Sequence, residues 1–295
     1  MSIPTSASRL TEEQVLLRDT IGRLADERIA PRARDIDRSG EFPEDIRQLL
    51  AEHDILGLPF PTEHGGVGGD LLTICLAIEQ IARACTTSSL ILAVQELGSM
   101  PLLIAGSPEQ QARWFPDLAS GRVLAAFALT EPEAGSDAAS TRTVAVRDGD
   151  AYRISGTKRF ITHGSIAGLL TVFAVTDPEA SRHGRLSCFA VEVPAEGFRV
   201  ARLEHKMGIR GSPTAELTFE DVRVPAANLI GKEGDGFAIA MATLDRSRPG
   251  IAAQAVGIAQ GALDAAVAYA RERRQFGQRI GEFQMIQAML ADMDA

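Results

Sequence analysis

Polar and apolar positions change their period twice along the chain, and the changes divide it into three parts. From Thr11 to about Gly121 the apolar residues recur at helical spacing, and the residues between the runs are those of helix ends. TEEQ at Thr11 reads as a capping box opening a helix through the Asp35 region, and FPEDIRQLLAEHDILG places Pro43 near a helix start and Gly57 just past its end. Further helices follow from Asp70 and Thr86, and SPEQ supplies Ser107 as a cap with Pro108 at the first helical position. Four to five helices are expected in this region.

Between Arg122 and about Lys232 the texture becomes short apolar or alternating runs: VLAAFAL, TVAVRDGDAYRISGTKRFIT, LLTVFAV, SCFAVEV, GFRVARL and AELTFEDVRV. That pattern predicts an antiparallel β domain, and DGD marks a hairpin because Asp-Gly suits the positive φ angles of a tight turn. Strands do not alternate with helices, and HGGVGGD lacks the spacing and the strand-to-helix setting of a dinucleotide fingerprint. It is read as a turn, and a doubly wound nucleotide fold is not expected. From Gly236 to about Gln275 the helical period returns, and at 1.5 Å per residue the helix would be about 60 Å long. Ala252, Ala253, Gly257, Gly261 and Ala265 would let another helix approach closely, and Pro249 would kink or interrupt the run.

After a turn at Phe276 to Gly281, EFQMIQAMLADMDA begins another helix, whose face at Met285 and Met289 has no later helix to pack on. Two helices are too few for a bundle, so the chain reads as truncated relative to its fold, or as completed by another chain. The expected fold class is α+β: an N-terminal all-α domain (1–121), a central antiparallel β-barrel or sandwich domain (122–232) and the first part of a C-terminal helical bundle (233–295).

Charge and cysteine content narrow the function. The chain has 295 residues and a formal charge of −9, its acids and bases are interspersed, and no block of like charge marks a nucleic-acid or anionic-membrane surface. Cys75, Cys85 and Cys188 lack metal-ligand spacing and cannot form an even disulfide framework, which suits a reducing cytoplasm. MSIPTSASRLTEEQ has the pattern of neither a secretory signal nor a transit peptide. PGIAAQAVGIAQGALDAAVAYA is interrupted by Gln254, Gln260 and Asp264, and is expected to fail as a membrane span.

Four segments could carry chemistry. TEPEAGSD (Thr130 to Asp137) is either a strand exit with solvated acids or a cradle in which N–H groups near Gly135 and the Ser136 hydroxyl hold an anion while Thr130 donates to a polar ring edge. It matches neither a calcium loop nor a hydrolase elbow. SGTKRFITHGS is a strand with polar Thr157, Lys158, Thr162 and His163, and with no second His or Cys at metal spacing His163 reads as a surface or hydrogen-bonded residue. LDRSRPG places Asp245 and Arg248 on one helical face, where an ion pair is the simplest reading. YARERRQFGQ is the one concentrated basic cluster, in a position to serve the helix dipole.

Together, PTEHGGVGGD, ALTEPEAGSDAAS, GTKRFIT, LEHKMGIRGSPTAELTFEDVRVPAANLIG and GIAQGALDAAVAYARERRQFGQRIGEFQ resemble, in that order, the acyl-CoA dehydrogenase family of flavoproteins. ELTFEDVRVP followed by YARERRQFG is most similar to its short- and medium-chain branch. The resemblance implies a helical domain, a β domain, a four-helix bundle and tetrameric or dimeric assembly, with FAD between the β domain and the bundle. By position, Phe127, Leu129, Thr130 and Ser136 match the loop lining the flavin and its pyrophosphate, and Phe160 and Thr162 match residues flanking the isoalloxazine. Arg273, Gln275, Phe276 and Gln284 match residues reaching the FAD of a neighbouring subunit, and Ser136, Asp245 and Arg248 match acyl-CoA contacts.

The implied activity is oxidation at a CH–CH bond: α,β-dehydrogenation of an acyl-CoA or acyl-carrier-protein thioester to the trans-2-enoyl thioester, with electrons passing to an electron-transfer flavoprotein. The family's general-base glutamate is expected beyond Ala295, and the alternative position on the long helix holds Ser247, so no catalytic base is assigned. The competing expectations are an oxygen-using relative of the nitroalkane oxidase or flavin monooxygenase type, and a non-catalytic flavin-binding remnant. No metal, nucleic acid or membrane is expected to take part, and the location is expected to be cytoplasmic.

Overall fold

A computed structural model describes residues 10–295, so most of the stretch weighed for a targeting signal lies outside the described residues. α1 (Glu12–Leu24) opens at Thr11, whose side chain accepts from the Gln14 N–H while the Gln14 side chain returns to the cap backbone. The expected single helix past Asp35 is two helices, because a widened turn at Ala25–Ile29 joins α1 to α2 (Ala30–Ser39). α3 (Glu44–Glu52) follows Pro43 but stops short of Gly57, which ends a separate 3₁₀ turn, Ile55–Gly57. α4 (Leu71–Ala84) is capped by Asp70, α5 (Thr86–Ala105) follows at once, and α6 (Pro108–Ala119) has the expected Ser107 capping box. The helices pack around Ile21, Ile29, Leu50, Ile78, Ile81 and Ile91.

The β domain comprises β1 (Ala125–Ala128), β2 (Val144–Asp148), β3 (Ala151–Thr162), β4 (Leu169–Val175), β5 (Leu186–Glu192), β6 (Phe198–Leu203), β7 (Thr214–Pro225) and β8 (Leu229–Ile230). They form one sheet in the order β6-β7-β3-β2-β4-β5-β8, with β1 attached to β4. The sheet is mixed, which corrects the expectation of a wholly antiparallel one: β1 runs parallel to β4, and β2 meets β4 in parallel at Val144 and Val175. The chain cannot return directly from β1 to β4, because the TEPEAGSD loop and the β2–β3 hairpin intervene, and so long a connection permits parallel pairing. In that hairpin Asp148 lies opposite Ala151, so the tight turn is Gly149–Asp150 with Gly149 at φ 60°.

β4 is buried on both faces, which explains the unbroken LLTVFAV run. Leu170, Val172 and Ala174 pack with Ile154, Leu217 and Phe219 of β3 and β7. Leu169 and Phe173 pack with Trp114 and Phe115 of α6 and with Ile239 and Ala240 of α7 (Gly236–Glu272).

α7 has 37 residues, about 55 Å of helix, and is continuous through Pro249. It lies so close to α4 that a Cβ on Gly257 would stand 2.2 Å from the Glu79 carbonyl oxygen, and one on Gly261 2.3 Å from that of Arg83. The small residues therefore do what their pattern predicts. Gly257→Ala is expected to cost about 1–3 kcal/mol in a urea unfolding series, since the overpacking outweighs the gain in helix propensity. An unchanged midpoint would mean that α4 and α7 separate freely.

Beyond α7, the short strands β9 (Arg274–Gln275) and β10 (Gln278–Arg279) form a hairpin leading into α8 (Gln284–Asp294), on which Met285, Met289 and Met293 are exposed. Among the described residues two helices, α5 and α7, are long and apolar enough to cross a membrane by length and composition, so the expectation that the α7 segment fails on its polar interruptions is corrected on that test alone. Its scattered polar residues do not outweigh its alanine, isoleucine and valine content. α5 meets the same criteria as the central helix of the N-terminal domain, with 72% of its most apolar window buried, against 11% for α7.

Candidate functional site

TEPEAGSD and GTKRFIT are stitched together residue by residue where β1 ends. Lys158 Nζ donates to the Leu129 carbonyl at 3.0 Å and to Glu131 Oε1 at 2.7 Å, and Arg159 N–H donates to the Thr130 carbonyl at 2.8 Å. Glu131 also accepts from the Arg142 N–H at 2.7 Å and the Thr143 N–H at 3.0 Å. Lys158 is 0% exposed and Glu131 4%. Burial draws Lys158 down to about 8 against the pull of the carboxylate beside it. Burial alone would raise Glu131, but the ammonium and the donated hydrogen bonds hold it below its ordinary value, so both groups are charged at neutral pH.

This pair is the feature that sequence reasoning missed, and a signal for it exists. Lys158 is in phase with the buried Tyr152 and Ile154 on β3, so period-2 alternation points its side chain inward. The acids of TEPEAGSD then divide. Glu131 is structural, Glu133 is exposed, and exposed Asp137 accepts from Ser140 at 2.5 Å and pairs with Arg182 at 2.5 Å.

Beyond Lys158 the β3–β7 ladder breaks, and Arg159 and Phe160 face the single residue Glu216. Phe160 sits in this bulge at φ 58°, a left-handed conformation unfavourable for a bulky residue, with 56% of its surface exposed. The Arg159 guanidinium lies over its ring at 4.8 Å. Strain combined with an exposed aromatic face is characteristic of a binding position. Thr162 is half-buried and pairs with Thr214. His163 is not the surface or hydrogen-bonded residue expected. It is buried against the edge of Phe42 at 5.4 Å, neither ring nitrogen has a partner among the described residues, and burial, with Lys206 nearby, draws it down to about 3.

Phe127 is half-buried and packs on Phe173 at 5.0 Å, and Leu129 is buried. Both belong to a core that Met241 and Leu244 of α7 also join, which brings the helical turn carrying Asp245 and Arg248 to this end of the β domain. Those two residues form the expected exposed ion pair. In the loop, Gly135, Ser136 and Asp137 are exposed, and their N–H groups donate to no other group among the described residues. An exposed ring platform next to unspent amide donors fits a cofactor that has a planar ring and an anionic tail.

Arg273, Gln275, Phe276 and Gln284 are all exposed and cluster around the β9–β10 hairpin. Arg273 is 28 positions after Asp245 in a nearly unbroken helix, about 42 Å along its axis. The sequence-predicted residues thus form two groups that one chain cannot bring onto one small ligand. A cavity of about 590 Å³ between α1 and the turn at His53 to Leu58 contains none of them. Among the described residues no three His, Cys, Asp or Glu side chains are grouped to hold a metal.

Family models described as acyl-CoA dehydrogenase N-terminal, middle and C-terminal domains match residues 11–122, 126–222 and 234–295. A probable acyl-CoA dehydrogenase of Mycobacterium bovis is 48% identical over 285 residues, covering 97% of this chain and 73% of the relative. Butyryl-CoA dehydrogenase from Megasphaera elsdenii superimposes with a TM-score of 0.92 at 38% identity, covering 100% of this chain and 76% of the other. A structure described as the electron transferring flavoprotein of Acidaminococcus fermentans gives a TM-score of 0.94 at 42% identity, covering 97% and 76%. A glutaryl-CoA dehydrogenase from Mycobacterium smegmatis in complex with FADH2 gives 0.88 at 30%, covering 96% and 72%. The chain spans about three quarters of the length of these relatives, and with three consecutive domains matched it belongs to the acyl-CoA dehydrogenase family.

Proposed function

We propose that the chain binds FAD at the junction of TEPEAGSD and the β3 bulge and takes part in α,β-dehydrogenation of an acyl-CoA or acyl-carrier-protein thioester, electrons leaving to an electron-transfer flavoprotein. The observation that carries this reading is Phe160, exposed and held in a left-handed bulge beside Thr162 and opposite a loop with unspent N–H donors. The neighbour in complex with FADH2 and the neighbour described as an electron transferring flavoprotein support it. The domain limits proposed are 1–121, 122–232 and 233–295.

FAD, when bound, supplies the two-electron acceptor that the reaction requires. The chain's own residues hold and orient. Phe127, Leu129, Phe160 and Thr162 line the ring, Thr130 and Ser136 donate to it and to phosphate, and Asp245 and Arg248 grip the coenzyme A end of the thioester. The α proton leaves to a carboxylate, and neither Ser247 nor the ion-paired Asp245 is assigned that role. Ser247 Oγ donates to the Leu244 carbonyl at 3.4 Å. The 28 helical positions between the two groups support a homo-oligomer in which Arg273, Gln275, Phe276 and Gln284 serve a partner's FAD. Free thiols at Cys75, Cys85 and Cys188 agree with a cytoplasmic location.

Anaerobic titration of the purified protein with acyl-CoAs, read by flavin absorbance, tests the function. Bleaching is expected. Oxygen consumption without bleaching would favour an oxygen-using relative, and an unresponsive or absent flavin would leave a binding remnant.

Phe160→Gly is expected to stabilise the apoprotein by about 0.5–1 kcal/mol, because glycine adopts φ 58° without strain, while FAD affinity falls as the ring platform is lost. A thermal melt paired with FAD titration checks it. Equal affinity in the variant would remove Phe160 from the site.

A further inference from the structure

The Lys158–Glu131 pair joins consecutive residues of one motif to consecutive residues of the other. Leu129 and Glu131 meet Lys158, Thr130 meets Arg159, and the next residue is the strained Phe160. On its other side Phe160 has no place in the β3–β7 register, which is interrupted between Lys158 and Ile161. On that side Arg159 Nε lies 3.6 Å from Glu216 and 3.7 Å from Glu204, ion pairs without a backbone bond, whereas the loop side supplies the directed hydrogen bonds at Lys158 and Arg159. The loop in turn is held by Glu131, which accepts two backbone N–H bonds beyond the one from Lys158, and by reciprocal backbone bonds between Glu131 and Ala134 at 3.0 and 3.2 Å.

Fold stability alone does not call for charges here. A buried ion pair is often matched or bettered by apolar side chains of the same volume, whereas directed hydrogen bonds fix atoms where packing leaves them free to slide. We propose that Lys158 and Glu131 are positioning residues for the flavin, a latch that sets Thr130 and the loop's N–H donors against Phe160 and Thr162. The proposal rests on the flavin reading above. The latch contributes to FAD affinity and to the environment of the bound ring, and little to net stability once both charges are removed together.

The test uses the full chain, stripped of flavin and titrated with FAD, with the visible spectrum of the bound flavin and the melting temperature of the apoprotein as further readouts. Lys158→Met combined with Glu131→Gln removes both charges while keeping the volumes. The double variant is expected to melt near the wild type yet to bind FAD on the order of 10-fold more weakly, with a shifted flavin band, as when supporting partners of a bound group are lost. Glu133→Gln, an exposed acid of the same loop, is expected to change neither. Wild-type affinity and spectrum in a folded double variant would overturn the latch. Should the double variant not fold, isosteric Glu131→Gln carries the same readouts with the same two outcomes. A wild-type chain that takes up no FAD overturns the flavin reading, and the latch with it, whereas equal binding by wild type and variant overturns the latch alone.

Discussion

Lys158→Met alone lowers the unfolding free energy by roughly 3–5 kcal/mol in urea at neutral pH, the usual range when one partner of a buried pair is removed. The variant leaves Glu131, 4% exposed, without the ammonium that offsets its desolvation. Its two backbone donors remain, so the carboxylate keeps some stabilisation, but its net charge is uncompensated in a low-dielectric interior. Adding Glu131→Gln removes that charge and restores most of the loss, so the second substitution stabilises a chain already carrying the first. The sign reversal is the measurement: Glu131→Gln destabilises the wild type and stabilises Lys158→Met. Acid adds a second check. The native value of Glu131 lies below its ordinary 4.5, so its contribution is fully present above about 4.5 and fades as the pH falls through the native value. Additive single and double variants would show that the pair is not coupled.

What the sequence revealed and what it concealed follow from the range of each interaction. Helix starts are local, written within four residues, and the boxes at Thr11 and Ser107 and the cap at Asp70 stand where TEEQ, SPEQ and Asp70 place them. Helix ends are less local. FPEDIRQLLAEHDILG carries an apolar period through to Gly57, yet the helix stops at Glu52, because Asp54 takes a left-handed turn that no spacing rule announces. Sheet direction is non-local: VLAAFAL identifies a strand, while its parallel partner lies some forty residues further on, beyond a hairpin. The site shows the same division. The motif resemblance pointed to the loop, to Phe160 and Thr162 and to the helix turn. Phe127 and Leu129 before the loop share a core with Met241 and Leu244 of α7, the bulge is tied to the loop by the Arg159–Thr130 backbone bond, and Arg273 to Gln284 stand at the far end of α7. The pair linking Lys158 to Glu131 spans 27 positions, and only the inward phase of Lys158 hinted at it.

Glu96 presents the opposite case, a buried acid that forms no ion pair among the described residues. It lies on α5 with 2% of its surface exposed, Oε1 has no partner among the described residues, and its side chain borders a cavity of about 390 Å³ lined by Leu71, Ile74, Met100, Leu103 and Arg246. Burial pushes it up to about 7, so the native state keeps a proton that the unfolded chain releases near 4.5. Between those values the native state binds more protons, and stability contributed by Glu96 falls as the pH rises. His163 works against it, since its native value of about 3 lies below its ordinary 6.5 and stability is lost as the pH drops through that interval. From 4.5 to 6.5 the two slopes oppose each other, and the wild type is expected to look nearly flat there. Glu96→Gln removes one slope and exposes the other. At 1.36 kcal/mol per unit, a rise from 4.5 to about 7 shifts the stability difference between variant and wild type by about 3 kcal/mol in the variant's favour from pH 4 to pH 8. Urea unfolding of both proteins across that range measures it, and parallel stability curves would show that Glu96 ionises in the native state much as it does in the unfolded chain.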